Sequence, residues 1–590
     1  MRLRRATKGR RAAWPAVLAV VVGLALAGCG SGASHDERTV VVSSDHPFVS
    51  LNAATVAGQA PGSTFVRGLV QAGLVSVDER GTVVPDTSFG TVEKVSDAPL
   101  TVRYTIASGV TWSDGVPVTP ADLLLEWAAR SGQHDEVVPV VGGDGDVSAP
   151  SDLDTSVAFL ATSPALVRAS ATPVIEGSTL TLVYDTPVAD WPTALDVNVP
   201  AHVVGRLALG PAPSPTPTAG AAPRTSAADA SWAEEVTTAI TTDDRAALVA
   251  ISRAWRAYGE REQLAVDPTS AVTTGAYMIS EVDDDRVVLV RNPRHPGPRG
   301  SVTTVVIRTD LDPLAQVSAV RSGSVDVALP LDTADVRQAA DSRRLTVRHG
   351  GAAVLQLQLG EQASSPFAGD QPVRAAFLGA LDLPALAEAS GAQASEAVLP
   401  QVGPAWTPPG AATPAADVAS PARTPSSTGR VPVRVLVDTA DPTRAALVAA
   451  LSEQVAAAGF VVTVVDKDVT AALWSQPGRW DAVIVPVVQE ALPVSAVVSR
   501  WRSDGAADVT EHVDEELDRA LDAASAQVDP AAVAQALAEV QSRLEASDVV
   551  APLVRLPVMS VVRSDDARVS GVRPVDWSAA DLTSWWAWLR

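Results

Sequence analysis

The chain of 590 residues is 46% apolar and carries a formal charge of −23, with 68 acidic against 45 basic side chains. That length and apolar fraction suit two or three domains with large cores. The acidic excess argues against a nucleic-acid partner and gives the chain as a whole no attraction to anionic lipid headgroups, and a lone cysteine, Cys29, excludes an intrachain disulfide.

In chain order, residues 1–11 are basic and free of acid, residues 12–27 carry no charge, and small residues lead into Gly28 and Cys29. This is the order of a secretory signal, and the apolar run falls short of the roughly 20 residues that span a bilayer. Leu26, Ala27, Gly28 and Cys29 resemble the bacterial lipobox, in which the thiol takes a diacylglycerol and cleavage leaves the cysteine as the new N-terminus. Residues 1–28 are therefore expected to be a signal peptide and 29–37 a flexible tether. The body then lies outside the cytoplasmic membrane, held to its outer face through diacylglycerol on Cys29, and two or more acyl chains make such an anchor firm. Removing the six basic charges of the signal leaves a mature chain near −29.

Leu100 to Ile106 alternates apolar and polar residues, a half-buried strand. Thr119, Pro120 and Asp122 then open a helix as cap, first-turn proline and capping-box acid, with Leu123, Leu124 and Trp127 on its apolar face. Leu180 to Tyr184 and Val287 to Val290 are further strands. Residues 210–231 and 402–430 are rich in Pro, Ala, Thr and Ser without apolar periodicity, and read as solvated insertions in a compact body. Val433 to Val437, a helix from Pro442 to Ala458 stopped by Gly459, and Phe460 to Val465 form a βαβ unit, with Asp481 to Pro486 as a later strand. That unit predicts a parallel sheet with a right-handed crossover. Helices are expected near 514–524 and 530–546.

Trp112 to Leu124 resembles the signature of the family 5 extracytoplasmic solute-binding proteins, the dipeptide and oligopeptide receptors of ABC importers. Further landmarks follow in the family's order: Thr274 to Tyr277 with Leu289 to Asn292, Arg321 to Asp326, Pro372 to Asp382, and Glu545 to Leu553. Phe89 to Tyr104 and Trp127 to Gly132 are similar to an actinobacterial subgroup that includes a mycobacterial lipoprotein linked to phosphatidylinositol mannoside synthesis. The resemblance implies an α/β fold of the periplasmic-binding-protein-like type II class (cluster C). Lobe I would comprise 38–52, 188–306 and 548–590, a small inserted domain 53–187, and the opposing lobe 307–547, with ligand in a cleft that closes by hinge motion. It also implies a substrate-binding lipoprotein that takes peptides or a related solute and delivers it to ABC permease subunits. The alternative, from the narrower likeness, is an envelope lipoprotein that binds a glycolipid or a protein.

Catalytic motifs are missing from the sequence. The seven histidines form no i, i+4 pair, and there is no Cys-x-x-Cys, no Gly-x-Ser-x-Gly elbow and no phosphate loop after a strand. No enzyme activity, cofactor or metal is expected. Asp283 to Asp285 reads as a hairpin turn, and Asp144 and Asp146 as a solvated loop. Trp112, Asp114 and Gly115 read as a structural turn in which the carboxylate holds backbone amides and the glycine takes a positive φ. By the resemblance, Asp45, His46 and Phe48 align with a loop that touches ligand, though a surface turn fits equally. Glu490 falls near the acid that pairs with a peptide's α-ammonium group, and Trp501 is a further candidate for the cleft. Trp577, Trp585, Trp586 and Trp588 cluster at the C-terminus as a packing or stacking surface.

Overall fold

The computed structural model describes residues 38–572, apart from 79–81, 138–139, 142–146, 149–152, 211–225, 267–269, 298–300, 352, 403–429 and 466–477. The expected signal, Cys29, the tether, Asp144 and Asp146, the C-terminal tryptophans and most of both proline-rich stretches lie outside the described residues.

Strand Thr39–Ser44 shows how one lobe is built. It lies inside a seven-stranded sheet, parallel to Thr304–Arg308 on one side and to Val327–Leu329 on the other. Val40 and Val42 point into the main core, while Val41 joins a second core under helices Pro313–Ser322 and Ala334–Ala340. Both faces are covered, so the strand reads as an unbroken apolar run. Hairpin Tyr277–Val282 and Arg286–Arg291 continues the sheet at one edge, and Val558–Arg563 and Leu345–Gly350 at the other.

The small domain is a four-stranded antiparallel sheet, Gly90–Asp97, Leu100–Ile106, Thr179–Val183 and Val174–Glu176. Val102 and Tyr104 point inward to the same core as Leu123, Leu124 and Trp127 of helix Pro120–Arg130, and this core is continuous with that of the first lobe. Asp122 Oδ2 accepts from Thr119 N–H at 2.8 Å, one half of the expected capping box.

The opposing lobe is a six-stranded sheet in the order Gln393–Ala394, Val550–Arg555, Val354–Leu359, Ala482–Val487, Val431–Leu436, Phe460–Val464. Leu355, Leu357 and Leu359 pack with Leu447, Leu451 and Val455 of helix Pro442–Ala457. At roughly 1.5–3 kcal/mol for each buried large aliphatic side chain, these ladders dominate the lobe's stability. The βαβ expectation holds for Val431–Leu436 and Phe460–Val464, which pair in parallel, as do Val431–Leu436 and Ala482–Val487. The sheet as a whole is mixed, because Val354–Leu359 runs antiparallel to both its neighbours.

Strand pairing moves the expected lobe boundaries. Residues 307–350 belong to the first lobe, since Thr304–Arg308, Val327–Leu329 and Leu345–Gly350 all lie in its sheet. Residues 548–555 belong to the opposing lobe, because Val550–Arg555 pairs with Val354–Leu359. The chain passes from one sheet to the other between Gly350 and Val354 and returns between Arg555 and Val558, and there Leu556 N–H donates to Ala353 O at 2.8 Å. The first proline-rich stretch also ends earlier than expected: helix Ser226–Thr241 takes up its last residues, held by Val236 and Ile240 in the main core. The second is bounded by a turn at Pro400–Val402 and by strand Val431–Leu436.

Candidate functional site

Residues 189–193 of the first lobe make most of the polar contacts at the seam between the lobes. Helix Pro493–Trp501 starts on Leu492, which offers no side-chain cap. A helix start leaves its first N–H groups without partners, and here the missing acceptor comes from the other side of the seam. Asp190, 3% exposed, accepts from Val494 N–H at 3.1 Å and from Ser495 N–H at 2.7 Å. Burial pushes the Asp190 carboxyl above the usual aspartate range, against the pull of these bonds and of Arg168.

The same segment makes further bonds across the seam. Thr193 Oγ1 donates to Ala491 O at 2.6 Å, Ala189 N–H to Ser525 O at 3.1 Å, and Trp191 Nε1 to Val528 O at 3.1 Å. Lys94 Nζ lies 5.9 Å from the centre of the Trp191 ring. From the small domain, Asp78 O accepts from Gln489 Nε2 at 3.1 Å.

Between these contacts lies a small space lined by Val77 and Val83, by Pro192 and Thr193, and by Gln489 and Glu490. It holds about 10 Å³, room for a water at most. At this point the two lobes are in contact and leave no room for a solute. Along the seam, a larger groove of about 440 Å³ runs past Arg168, Ser495, Arg502 and Asp522.

The expected site residues are not all brought together. Glu490 lines the closed space, its side chain open to solvent on one side and crowded by protein on the others. Burial raises its carboxyl above the usual range, and the charge of Arg500 pulls it back. Asp45 and His46 do not line that space. They sit together past the end of Thr39–Ser44, His46 Nε2 lying 3.7 Å from Asp45 Oδ1. Burial lowers the His46 pKa and Asp45 opposes it. Phe48 is 4% exposed in the main core. Trp501 is 1% exposed, among Val494, Val497, Leu517 and Leu521. Both rings are core side chains in this conformation. The reason is spacing: Trp501 lies on the same helical face as Val494 and Val497, and that face turns inward.

The Trp112 turn is a joint between segments. Trp112 is 1% exposed and its Nε1 donates to Asp122 Oδ2 at 3.4 Å. Asp114 accepts from Val116 N–H at 3.0 Å and pairs through Oδ2 with His202 Nε2 at 2.8 Å. Burial works to raise the Asp114 carboxyl, but the His202 bond and charge and the Val116 N–H outweigh it and hold it low. Gly115 has φ +96°, and a side chain there would meet the Arg294 guanidinium. Ser113 ties the turn to Thr273 O at 2.8 Å. His202 and Asp190 escaped the sequence reading. The one sequence signal for Asp190 was the missing cap before Pro493, and nothing local says which distant acid supplies it.

Among the described residues no group of three or more His, Cys, Asp or Glu could hold a metal ion. None of the described helices is long and apolar enough to cross a membrane.

A family model for bacterial extracellular solute-binding proteins, family 5 (middle), matches residues 87–508. The chain belongs to this family. Its members are named for binding solutes, and the mixed helix and strand fold matches periplasmic-binding-protein-like type II structures. A periplasmic EDTA-binding protein, EppA, superposes with a TM-score of 0.66 at 16% identity, covering 93% of this chain and 96% of that one. NikZ from Campylobacter jejuni, solved with Ni(L-His), gives 0.62 at 14% identity over 94% and 99%. The oligopeptide-binding protein AppA of Bacillus subtilis, solved with a nonapeptide, gives 0.59 at 14% identity over 89% and 94%. At such identities the likeness is one of fold. An uncharacterized lipoprotein of Mycobacterium leprae is 38% identical over 117 residues, and one of Mycobacterium tuberculosis 39% over 116. These alignments span only about 20% of each relative's length.

Proposed function

We propose that this family 5 protein is a membrane-tethered receptor that closes on a peptide or related solute between its lobes and delivers it to an ABC permease. The observation that carries this reading is the architecture: two sheets that the chain connects between Gly350 and Val354 and again between Arg555 and Val558, meeting at a seam held by both polar bonds and apolar packing. The peptide ligand of the Bacillus relative supports the solute class, and the lipoprotein relatives support a body anchored outside the membrane through Cys29.

Within this reading Glu490 is the counter-charge for a ligand ammonium group, because a buried cation needs a paired acid. Mass spectrometry of ligands released from protein purified without refolding tests the class. Short peptides support it, and an empty or lipid-only extract refutes it. Glu490→Gln should weaken a free-amine peptide by roughly 2–5 kcal/mol, the cost of truncating one partner of a buried charged pair. Unchanged affinity by calorimetry removes Glu490 from the site.

A second reading is an envelope lipoprotein that binds a glycolipid or protein without transport. The lipoprotein relatives of Mycobacterium support it, since they share with this chain the stretch of about 117 residues that matches. A mannosylated lipid in the extract would favour this reading over import.

A further inference from the structure

Behind the hinge lies a recess of about 260 Å³ that both lobes build. Asp332, Arg337 and His349 come from the first lobe, and Gly391, Gln393 and Arg555 from the other. Asp332, 1% exposed, is the one acid in the lining, and it is already satisfied twice. Arg337 Nε donates to its Oδ1 at 2.6 Å, and His349 Nδ1 lies 3.0 Å from its Oδ2. Arg337 then reaches across the hinge, its terminal N–H donating to Gly391 O at 2.8 Å.

Arg555 is different. It ends strand Val550–Arg555, opposite Val354 and Gln393, and its exposed guanidinium has no ion pair or hydrogen bond among the described residues. The recess therefore gathers two arginines and a histidine against one neutralised carboxylate, on a chain whose net charge is −23. Arginine forks match oxyanions with two parallel N–H bonds. Gly350 and Gly391 line it without side chains. Gly351 has φ +128°, and a side chain there would lie 2.2 Å from Leu556 O.

We propose that this recess is a second binding site, separate from the cleft, for a small oxyanion of the phosphate type. The anion bridges Arg555 of one lobe and Arg337 and His349 of the other. Because its ligands move relative to one another when the lobes part, it binds one hinge angle better than another and shifts the balance between open and closed forms. The anion is either free in solution or carried on a lipid headgroup.

The test is titration calorimetry of inorganic phosphate into the full-length protein in detergent at low ionic strength, repeated with Arg555→Gln and Arg555→Lys. Phosphate should bind saturably, and the glutamine variant should bind it roughly 10-fold more weakly, the loss of one charge-assisted contact, with lysine between. Small-angle scattering should show a phosphate-dependent change of radius in the parent protein and none in Arg555→Gln. Sedimentation of the detached body with phosphatidylglycerol vesicles separates the sources. Binding that Arg555→Gln abolishes assigns a headgroup, and phosphate binding without sedimentation assigns the free anion. No saturable phosphate heat together with no sedimentation, or equal affinity in Arg555→Gln, overturns the proposal. Because Arg555 is exposed on a strand end, unchanged thermal unfolding in both variants separates loss of the site from loss of fold.

Discussion

Replacing Asp190 with alanine is the sharpest test of how the lobes are held together. The substitution leaves Val494 and Ser495 N–H groups at the start of helix Pro493–Trp501 without their acceptor, because Leu492 offers none. Hydrogen bonds to a charged group contribute roughly 1.5–3 kcal/mol each, and removing a helix cap costs about 0.5–2 kcal/mol. Burial already works against the ionised carboxylate, as its raised pKa shows, so part of that gain is offset. The net loss should be about 2 kcal/mol, which is roughly 30-fold in the ratio of closed to open forms. Small-angle scattering should show a larger mean radius for the variant, and hydrogen exchange should speed at Val494 and Ser495 while the lobe cores stay protected. Unchanged radius and exchange would refute the idea that this contact sets closure. Acidity offers a second reading of the same group. Burial raises the Asp190 carboxyl above its ordinary 3.8, so an opening that exposes the group to water releases protons and its burial takes them up. That contribution is whole below the ordinary value and is lost as pH rises through the raised one. Mild acid should therefore tighten the seam, and a radius that grows on acidification would count against it.

Three further outcomes can be checked. Asp114→Ala removes the His202 and Val116 partners of the Trp112 turn and should lower unfolding stability by about 1–3 kcal/mol in urea. Because the Asp114 carboxyl is held low, its contribution is present above the ordinary aspartate value and fades as pH falls through the folded one, so parent and variant should converge in strong acid. Gly351→Ala puts a side chain against Leu556 O in a backbone conformation that alanine resists, and should cost about 1–3 kcal/mol while altering lobe separation. A variant of parental stability and radius would show that the crossing strands have slack. Cys29→Ser should release the body from the membrane fraction, and full retention there would refute anchoring by that thiol.

The elements that local chemistry can specify were legible in the chain. Leu100–Ile106 alternates because one face is buried, and it forms over the expected residues. Thr119, Pro120 and Asp122 start a helix because cap, proline and acid all act within one turn. The Trp112 turn, too, is where a glycine of positive φ and an amide-holding carboxylate place it. The burial of Trp501 was not legible, because its face is set by the helix that carries it, which turns it inward with Val494 and Val497.

What the sequence by itself determined, then, was the set of strands, helices and turns, whose causes lie within a few residues of one another. The tertiary structure alone decided which strands share a sheet, and so put Val327–Leu329 and Leu345–Gly350 in the first sheet and Val550–Arg555 in the second, against the boundaries that the resemblance implied. It alone brought Asp190 to a helix some 300 residues away, and Arg337 to Gly391 across the hinge. An unmet N–H at a helix start requires an acceptor, but that requirement is satisfied equally by any acid the fold delivers. Its identity is a property of the packing, and cannot be read from the residues beside it.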